Sequence, residues 1–573
     1  MKGKANMESR AKTALILIVF ILIQSLPWVS IGAPAFLYLS VDCDPYRLQI
    51  AFVDLDTALN PFEFVYNSEG GYTLWEVKQS VVKNSKRYIF NYEELIVPSK
   101  YKGKPVTKIG SSAFQNLQSL KNITIPDTVT ELGDYAFAKC TSLEEITLPD
   151  GITSIGTGAF SNCENLKTVK LSSSLKSIGN AAFNCCTNLE SISLPQGLES
   201  IGNGVFAECI NLKSISLPQG LKSIGDRAFY SCTSLDELII PDSVTEIGKE
   251  MFFLCYNLKT VSLSSNLKTI PEYAFRNSAI DHIVLPEGLI EIGKSAFQYT
   301  NIKSIDIPSS VKTIEDSAFA GTNLEEVTIP NTVVNVGAYL FRECRNLTKV
   351  TLPDHFRYIS GSMFENCTSL DTVHYGDNLE SISSSAFRRT AIKEFVAPNT
   401  LQYIGDYSFA GCGFLETVIL NESLKEVPYY AFSNCKSLKT LILPDSLTEI
   451  SSNAFQGCSS LTEVILPDSL TDINGSAFEG CTSLMELILP DSLTYIGYSA
   501  FADCTSLKYV EIGNNISKIE HYAFNRCESL TEIRFRGTVE EWNAIEKKNT
   551  WNIGMPSCKV ICTNGEILID SYQ

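Results

Sequence analysis

Long apolar runs, basic clusters and metal-ligand spacings are what this chain lacks. No stretch reaches the roughly 18 consecutive apolar residues of a comfortable membrane span; the longest, residues 14–23, stops at ten. Lys and Arg number 46 against 64 Asp and Glu, the formal net charge is −18, and no basic cluster occurs beyond the first dozen residues. Nucleic-acid binding rests on phosphate neutralisation by Lys and Arg, so this composition argues against it. The four histidines (His282, His355, His374, His521) are scattered, and no Cys-x-x-Cys pair exists among eighteen cysteines. That removes the usual zinc spacings, and no cofactor or metal is expected. Ser-His-Asp, HExxH, P-loop and dinucleotide signatures are all missing, so no enzyme and no small-molecule substrate is expected. Tryptophan is scarce too, with four residues, all outside the periodic region.

What the chain does have is a period. Phe114, Phe137, Phe160, Phe183, Phe206, Phe229, Phe252, Phe275, Phe297, Phe319, Phe341, Phe364, Phe387, Phe409, Phe432, Phe455, Phe478, Phe501 and Phe524 each close an Ala-Phe pair or a near variant. Fourteen of the eighteen intervals are 23 residues and four are 22. A fixed spacing in this range marks a solenoid, because one such unit cannot bury its own apolar face. Residues 460–484 show the unit in full: Leu461, Val464 and Leu466 make a short one-faced strand, and Pro467 ends it for want of a donor. Leu470 and Ile473 follow as a second extended segment, and Ala477, Phe478 and Cys481 turn inward on a short helical turn. The expected fold is therefore a β-rich leucine-rich-repeat array of about 19 coils, with a parallel sheet and short helical turns, capped at both ends. Strands about 4.8 Å apart stack like on like.

Three further rows follow from that stacking. The position four before each Phe is Gly in eleven coils, yet Pro271 and Pro428 also occupy it. Proline locks φ near −65°, so this position does not need a left-handed conformation, and an N-cap or first-turn role fits better. Lys121, Glu144, Lys167, Glu190, Lys213, Asp236, Lys259, Asp281, Lys303 and Glu325 alternate in sign one period apart, as vertical neighbours should. Fourteen cysteines sit three residues after a Phe; Leu117 takes that place in the first unit, and the four 22-residue units carry no Cys there. A slot of that kind is an apolar packing slot in which Cys acts as a small hydrophobe, so free thiols are expected. Vertical disulfides are the competing reading, since the coil spacing lies inside the disulfide Cα range.

The ends lack the period. Lys2, Lys4, Arg10 and Lys12 precede the apolar run, and Ala33-Pro34-Ala35 supplies a small-residue site. Residues 1–35 thus read as a signal peptide cleaved after Ala35, with an uncleaved anchor as the alternative; either places the repeats at the cell surface or in the secreted fraction. Residues 36–105 read as an N-terminal cap, 106–535 as the solenoid and 536–573 as a C-terminal cap. Glu540 to Lys547 is expected to be helical, with Trp542 and Ile545 on one face. Trp75, Trp542 and Trp551 suit plugs for the open ends, and a Cys558–Cys562 disulfide is left open. No hydrophobic tail or sorting signal follows, so no covalent anchor is expected.

The unit P-D-S-L-T-x-I-G-x-x-A-F-x-x-C-x-S-L-x-x-V-x-L resembles the BspA-like leucine-rich repeat family over about Pro98 to Phe535. Tyr101 to Gly110 is similar to that family's usual lead-in, and Phe535-Arg536-Gly537-Thr538 with Trp542 resembles a C-terminal cap of its bacterial members. The resemblance implies secreted or surface proteins of bacteria and some protists, several acting as adhesins for host extracellular-matrix proteins or cells.

On such a scaffold the contact residues are the outward strand positions. The residue between the two strand apolars is Thr124, Thr147, Lys170, Ser193 and Ser216 in early units, then Ile419, Ile442, Ile465 and Ile488 in four consecutive later ones. Beside them run Thr417, Thr440, Glu463 and Glu486. Strand propensity alone favours Ile, but contiguous exposed apolar surface marks contact sites. These eight residues are the candidate partner-binding site. The expected partners are proteins, host extracellular-matrix or cell-surface proteins among them, and self-association through the same row is the alternative.

Overall fold

The computed structural model describes residues 62–77, 80–83, 86–89 and 92–570. The proposed signal segment and Cys43 lie outside them. Two compact units are distinguished. The first covers residues 1–63 and 78–89; its described part is an antiparallel pair, Ser80–Lys83 with Lys86–Ile89. The second, residues 64–77 and 90–573, is a parallel β-solenoid of about 20 turns with almost no helix.

Most coils hold two short strands, which pair with their neighbours in vertical register. Glu145–Thr147 pairs with Thr168–Lys170, and Ser154–Ile155 with Ser177–Ile178, one period apart. The 22-residue steps keep the register, as Thr269↔Glu291 and Ile270↔Ile292 show. Pairing begins before the first Ala-Phe pair: Glu94–Ile96 pairs with Asn122–Thr124, and Leu74 with Ile109. The second-strand ladder breaks three times, between Ile247 and Thr269, Val336 and Tyr358, and Ile404 and Glu426. Two of those breaks fall at Pro271 and Pro428, which lack the N–H that a glycine there donates to the preceding coil, as Gly133 does to Ile109 (2.8 Å).

The nineteen Phe rings form one uninterrupted stack. Neighbouring centroids lie 4.7–6.0 Å apart with planes within 29°, and every ring is buried. At about 1.5–3 kcal/mol per ring, this column is the largest single source of burial energy in the array.

The segment carrying the Phe is a run of i→i+3 turns rather than a helix. Ala113 N–H donates to Gly110 O, and Cys140 N–H to Phe137 O. Residues two before and two after every Phe have positive φ in all nineteen coils, from Ser112 (59°) and Asn116 (64°) to Tyr522 (62°) and Arg526 (56°). Left-handed L-residues cost roughly 1–2 kcal/mol each, so something must hold them. The flanking left-handed residues turn alternate N–H groups the same way: Ser112, Phe114 and Asn116 donate to Asp134 O, Ala136 O and Ala138 O of the next coil. This third backbone ladder has a direction, and its last donors need acceptors. Tyr522, Phe524 and Arg526 find them in Thr550, Trp551 and Ile553 of the C-terminal segment (2.8–3.0 Å). At the other end the Ala113 carbonyl accepts from Val77 N–H (2.9 Å). The glycine four before each Phe has no positive φ. A Cβ at Gly156 would instead lie 2.5 Å from the Gly133 carbonyl carbon, so close approach between coils favours glycine there.

The cysteine slot corrects the sequence reading. All seventeen cysteines among the described residues are free thiols. The slot does not vanish in the 22-residue coils: Ser278, Thr300, Thr322 and Thr390 fill it, all buried, and the missing residue comes after it. The slot wants a donor as much as an apolar group. Each of the fourteen ladder thiols donates to the carbonyl of the preceding coil's Phe at 3.0–3.4 Å. Thr300, Thr322 and Thr390 donate to the Phe carbonyl of their own coil (2.8–2.9 Å). Leu117 is tolerated because no Phe carbonyl precedes the first coil.

Other expectations are met in part. In the charge row, Lys121–Glu93, Lys167–Glu144, Lys213–Glu190 and Lys439–Glu416 pair at 2.8–3.3 Å. Among the described residues Lys259 makes no ion pair, its neighbours Asp236 and Asp281 being a methylene shorter than Glu; Lys303, between Asp281 and Glu325, makes none either. The helix α1 is shorter than expected, Val539–Ala544, capped by Thr538 with Glu541 in a reciprocal box. Glu546–Lys547 is a strand that continues the second-strand ladder from Lys518–Ile519. Trp542 and Ile545 are buried, and Trp551 stands edge-on to Phe524 (6.0 Å, 87°), closing the ring stack. Trp75 does not plug the opposite end. It is 54% exposed, and Leu74, Val77 and Val106 are the buried residues there.

Candidate functional site

The outward row is set by strand alternation: the residue between two inward apolars must face solvent. Val396, Ile419 and Ile442 are direct register partners. Val396 (48%), Ile442 (49%), Ile465 (82%) and Ile488 (51%) are exposed, while Ile419 is half-buried. The structure thus extends the candidate row by one residue, Val396, which the sequence pattern of isoleucines did not single out. Ile465 lies in an extended stretch that forms no ladder strand, between the sheet ending at Thr440–Ile442 and the one beginning at Glu486–Ile488. Beyond Ile488 the row ends in charge, since its partner is Glu511, which accepts from Arg536 Nε (2.7 Å) and the Tyr509 hydroxyl (2.6 Å).

The flanking row holds Glu394, Thr417, Thr440, Glu463 and Glu486. Thr417 is half-buried and the other four are exposed. Thr417 and Thr440 are register partners, and the neighbouring Glu416–Lys439 pair closes at 3.0 Å. Isolated exposed apolar residues occur elsewhere on this face, at Ile239 and Val284, but Ser262 separates them. Only between Val396 and Ile488 do apolar residues hold this outward position in five consecutive coils, four of them exposed. Arranged this way, the surface offers a narrow apolar strip with an acidic border. It brings no nucleophile, base or ligand cluster together, and among the described residues no group of three His, Cys, Asp or Glu side chains could hold a metal ion.

Short stacked strands, a buried aromatic column and a leucine or isoleucine at each coil's start define a leucine-rich repeat solenoid. The profile described as "BspA type Leucine rich repeat region (6 copies)" matches in overlapping segments from residue 107 to residue 557. The chain belongs to the BspA-type leucine-rich repeat family. Among solved structures it is similar to a leucine-rich repeat protein from Bacteroides ovatus (24% identity over 84% of this chain and 99% of that one, TM-score 0.46). It is also similar to a leucine-rich cell surface protein from Faecalibacterium prausnitzii (22%, 87% and 98%, TM-score 0.24) and to the pneumococcal vaccine antigen PcpA (22%, 61% and 93%, TM-score 0.36). Among curated proteins none matches. No helix among the described residues is long and apolar enough to cross a membrane.

Proposed function

We propose that this protein is a non-enzymatic, secreted or cell-surface protein-binding module, adhesin-like, whose contact surface is the strip formed by Val396, Ile419, Ile442, Ile465 and Ile488. In this reading residues 1–35 are the leader, 36–105 and 536–573 the caps, and 106–535 the binding array. The observation that carries it is the contiguity of the strip across five coils, because scattered exposed apolar residues need no explanation and a continuous row does. Glu394, Glu463, Glu486 and Glu511 border it on a chain of net charge −18. The partner it fits is a protein, on a host matrix or cell surface, that presents an apolar ridge flanked by Lys and Arg.

The double variant Ile442→Lys, Ile465→Lys puts two charges in the strip without touching the buried faces. Binding of the full chain to matrix proteins or whole cells in a pull-down is expected to fall at least tenfold, with the far-UV circular dichroism unchanged. Unaltered capture would remove the strip from the function. Sedimentation of the unmodified chain tests self-association: concentration-dependent oligomers lost in the double variant would favour that second use of the same row.

A further inference from the structure

A second site lies on the turn face, where the repeat departs from its own rules. In every other 23-residue coil the residue five after the Phe is Ser or Asn; in the Phe409 coil it is Phe414, which is 61% exposed. The residue before it is Gly413, the one glycine at its position in the array, and a Cβ there would meet nothing within 4 Å. The preceding coil is a shortened one, and it is the only coil with two cations directly after its Phe, Arg388 and Arg389. These departures coincide with a groove of about 610 Å³ lined by Arg388, Arg389, Tyr407, Tyr430, Lys436 and Gln456.

The charge in the groove is unbalanced. Arg388 is committed, at 3.2 Å to Glu365 and over the Tyr407 ring at 5.7 Å. Arg389 has only the neutral Asn366 Oδ1 (3.4 Å), and Lys436 Nζ has no ion pair. Two unpaired cations face one cleft on a chain of net charge −18. The Tyr407 and Tyr430 rings stack on each other (4.6 Å, 7°), which covers one face of each, and Arg388 lies over the Tyr407 ring. Asn434 Nδ2 is spent on Ser433 Oγ (2.9 Å) and Gln456 Nε2 on Glu479 Oε2 (3.2 Å), which leaves the Asn434 and Gln456 side-chain carbonyls as acceptors; Phe414 follows Gly413 in the chain but does not itself line the groove.

We infer that this groove binds a short acidic oligosaccharide. Arg389 and Lys436 take its carboxylate or sulfate, the Asn434 and Gln456 carbonyls accept from its hydroxyl groups, and Gly413 leaves open the space that a side chain there would fill. The volume is within the small-ligand range. A long polyanion would be repelled by the surrounding acidic surface, which limits the occupant to a segment with one or two charges.

The test titrates the full chain with a uronic-acid disaccharide, a sulfated disaccharide and a neutral disaccharide, read by saturation-transfer NMR and calorimetry. Saturable, salt-sensitive binding of one or both acidic sugars and none of the neutral one is expected, the two arms separating carboxylate from sulfate. Arg389→Ala and Lys436→Ala should each weaken it at least fivefold. Gly413→Thr with Phe414→Ser restores the residues other coils use at these positions, so the coil should fold as they do while binding is lost. Ile442→Lys with Ile465→Lys should leave sugar binding unchanged, which keeps the two sites separable. No saturable binding of either acidic sugar, equal binding of the neutral one, or preference for a phosphopeptide would overturn the assignment.

Discussion

Raising the pH past about 10 is expected to unfold the array cooperatively. Burial pushes all fourteen ladder thiols above their ordinary value of 9.0: Cys140, Cys255 and Cys458 to about 12, Cys344 and Cys412 to about 11, and the others upward as well. Cys344 and Cys412 rise less because Thr322 and Thr390 hydroxyls sit within 3.2–3.3 Å of the sulfurs. A group whose folded pKa is raised contributes stability that is complete below its unfolded pKa and is lost as pH climbs towards the folded one. The window here opens at 9 and extends to 11–12. One unit above 9, each thiol costs the fold about 1.4 kcal/mol. Fourteen together reach about 20 kcal/mol, comparable to the lower end of the roughly 0.05–0.15 kcal/mol per residue that holds a folded chain, summed over the array. Circular dichroism should be lost near pH 10, in step with the ultraviolet thiolate band and with reaction towards a thiol reagent. A thiolate band that rises around pH 9 while the circular dichroism holds would mean that these sulfurs are wet and the ladder misplaced.

The parts of this architecture that repeat with an invariant residue were legible, and the parts made by backbone geometry were not. Nineteen phenylalanines at fixed spacing announce a column, because only stacking explains both the period and the aromatic. The outward row was readable for the same reason, since period-two alternation assigns each strand residue a face. The turn was misread as helical. Its two left-handed positions are filled differently: two residues after the Phe, Asn, Asp or Gly occur in ten coils and mark the conformation, whereas two residues before it Ser and Tyr dominate and give no hint. The cysteine slot was read as apolar because its common occupant is a small hydrophobe. The clue against that was Thr300, Thr322 and Thr390 holding it in three of the four short coils, which says that a donor is wanted. The groove at Gly413 was visible only as an exception, and an exception is noticed once the rule it breaks has been placed in space.

Replacing Phe297 with alanine is expected to divide the array in two. Phe297 lies between Phe275 (5.3 Å) and Phe319 (5.6 Å), so one substitution removes two ring contacts and leaves a cavity. Cost at a fully buried Phe is about 3–5 kcal/mol. Where that cost falls matters more than its size, because in a linear array each coil is held only by its neighbours. Around Phe297 the first-strand ties are thin, although the second-strand ladder holds from Thr269 to Val336. Near Pro271 the second-strand ladder breaks, between Ile247 and Thr269, and the first-strand ladder shrinks to a single bridge, Thr260↔His282, and then lapses through residues 301–308. Buried polar atoms there, Arg276 Nε and Ser278 Oγ, have no hydrogen-bond partner, which adds a desolvation cost of about 1–3 kcal/mol each. Urea unfolding of the variant should therefore show two transitions in place of one. Amides of residues 271–319 should exchange fastest, and the coils on either side should keep separate protection. The same substitution at Phe524, where both strand ladders run unbroken on either side, should lower the midpoint without splitting the transition. A single transition with uniform exchange in the Phe297→Ala variant would show that the coils cooperate across this stretch as strongly as elsewhere, and that the ring column outweighs the backbone ladders in coupling them.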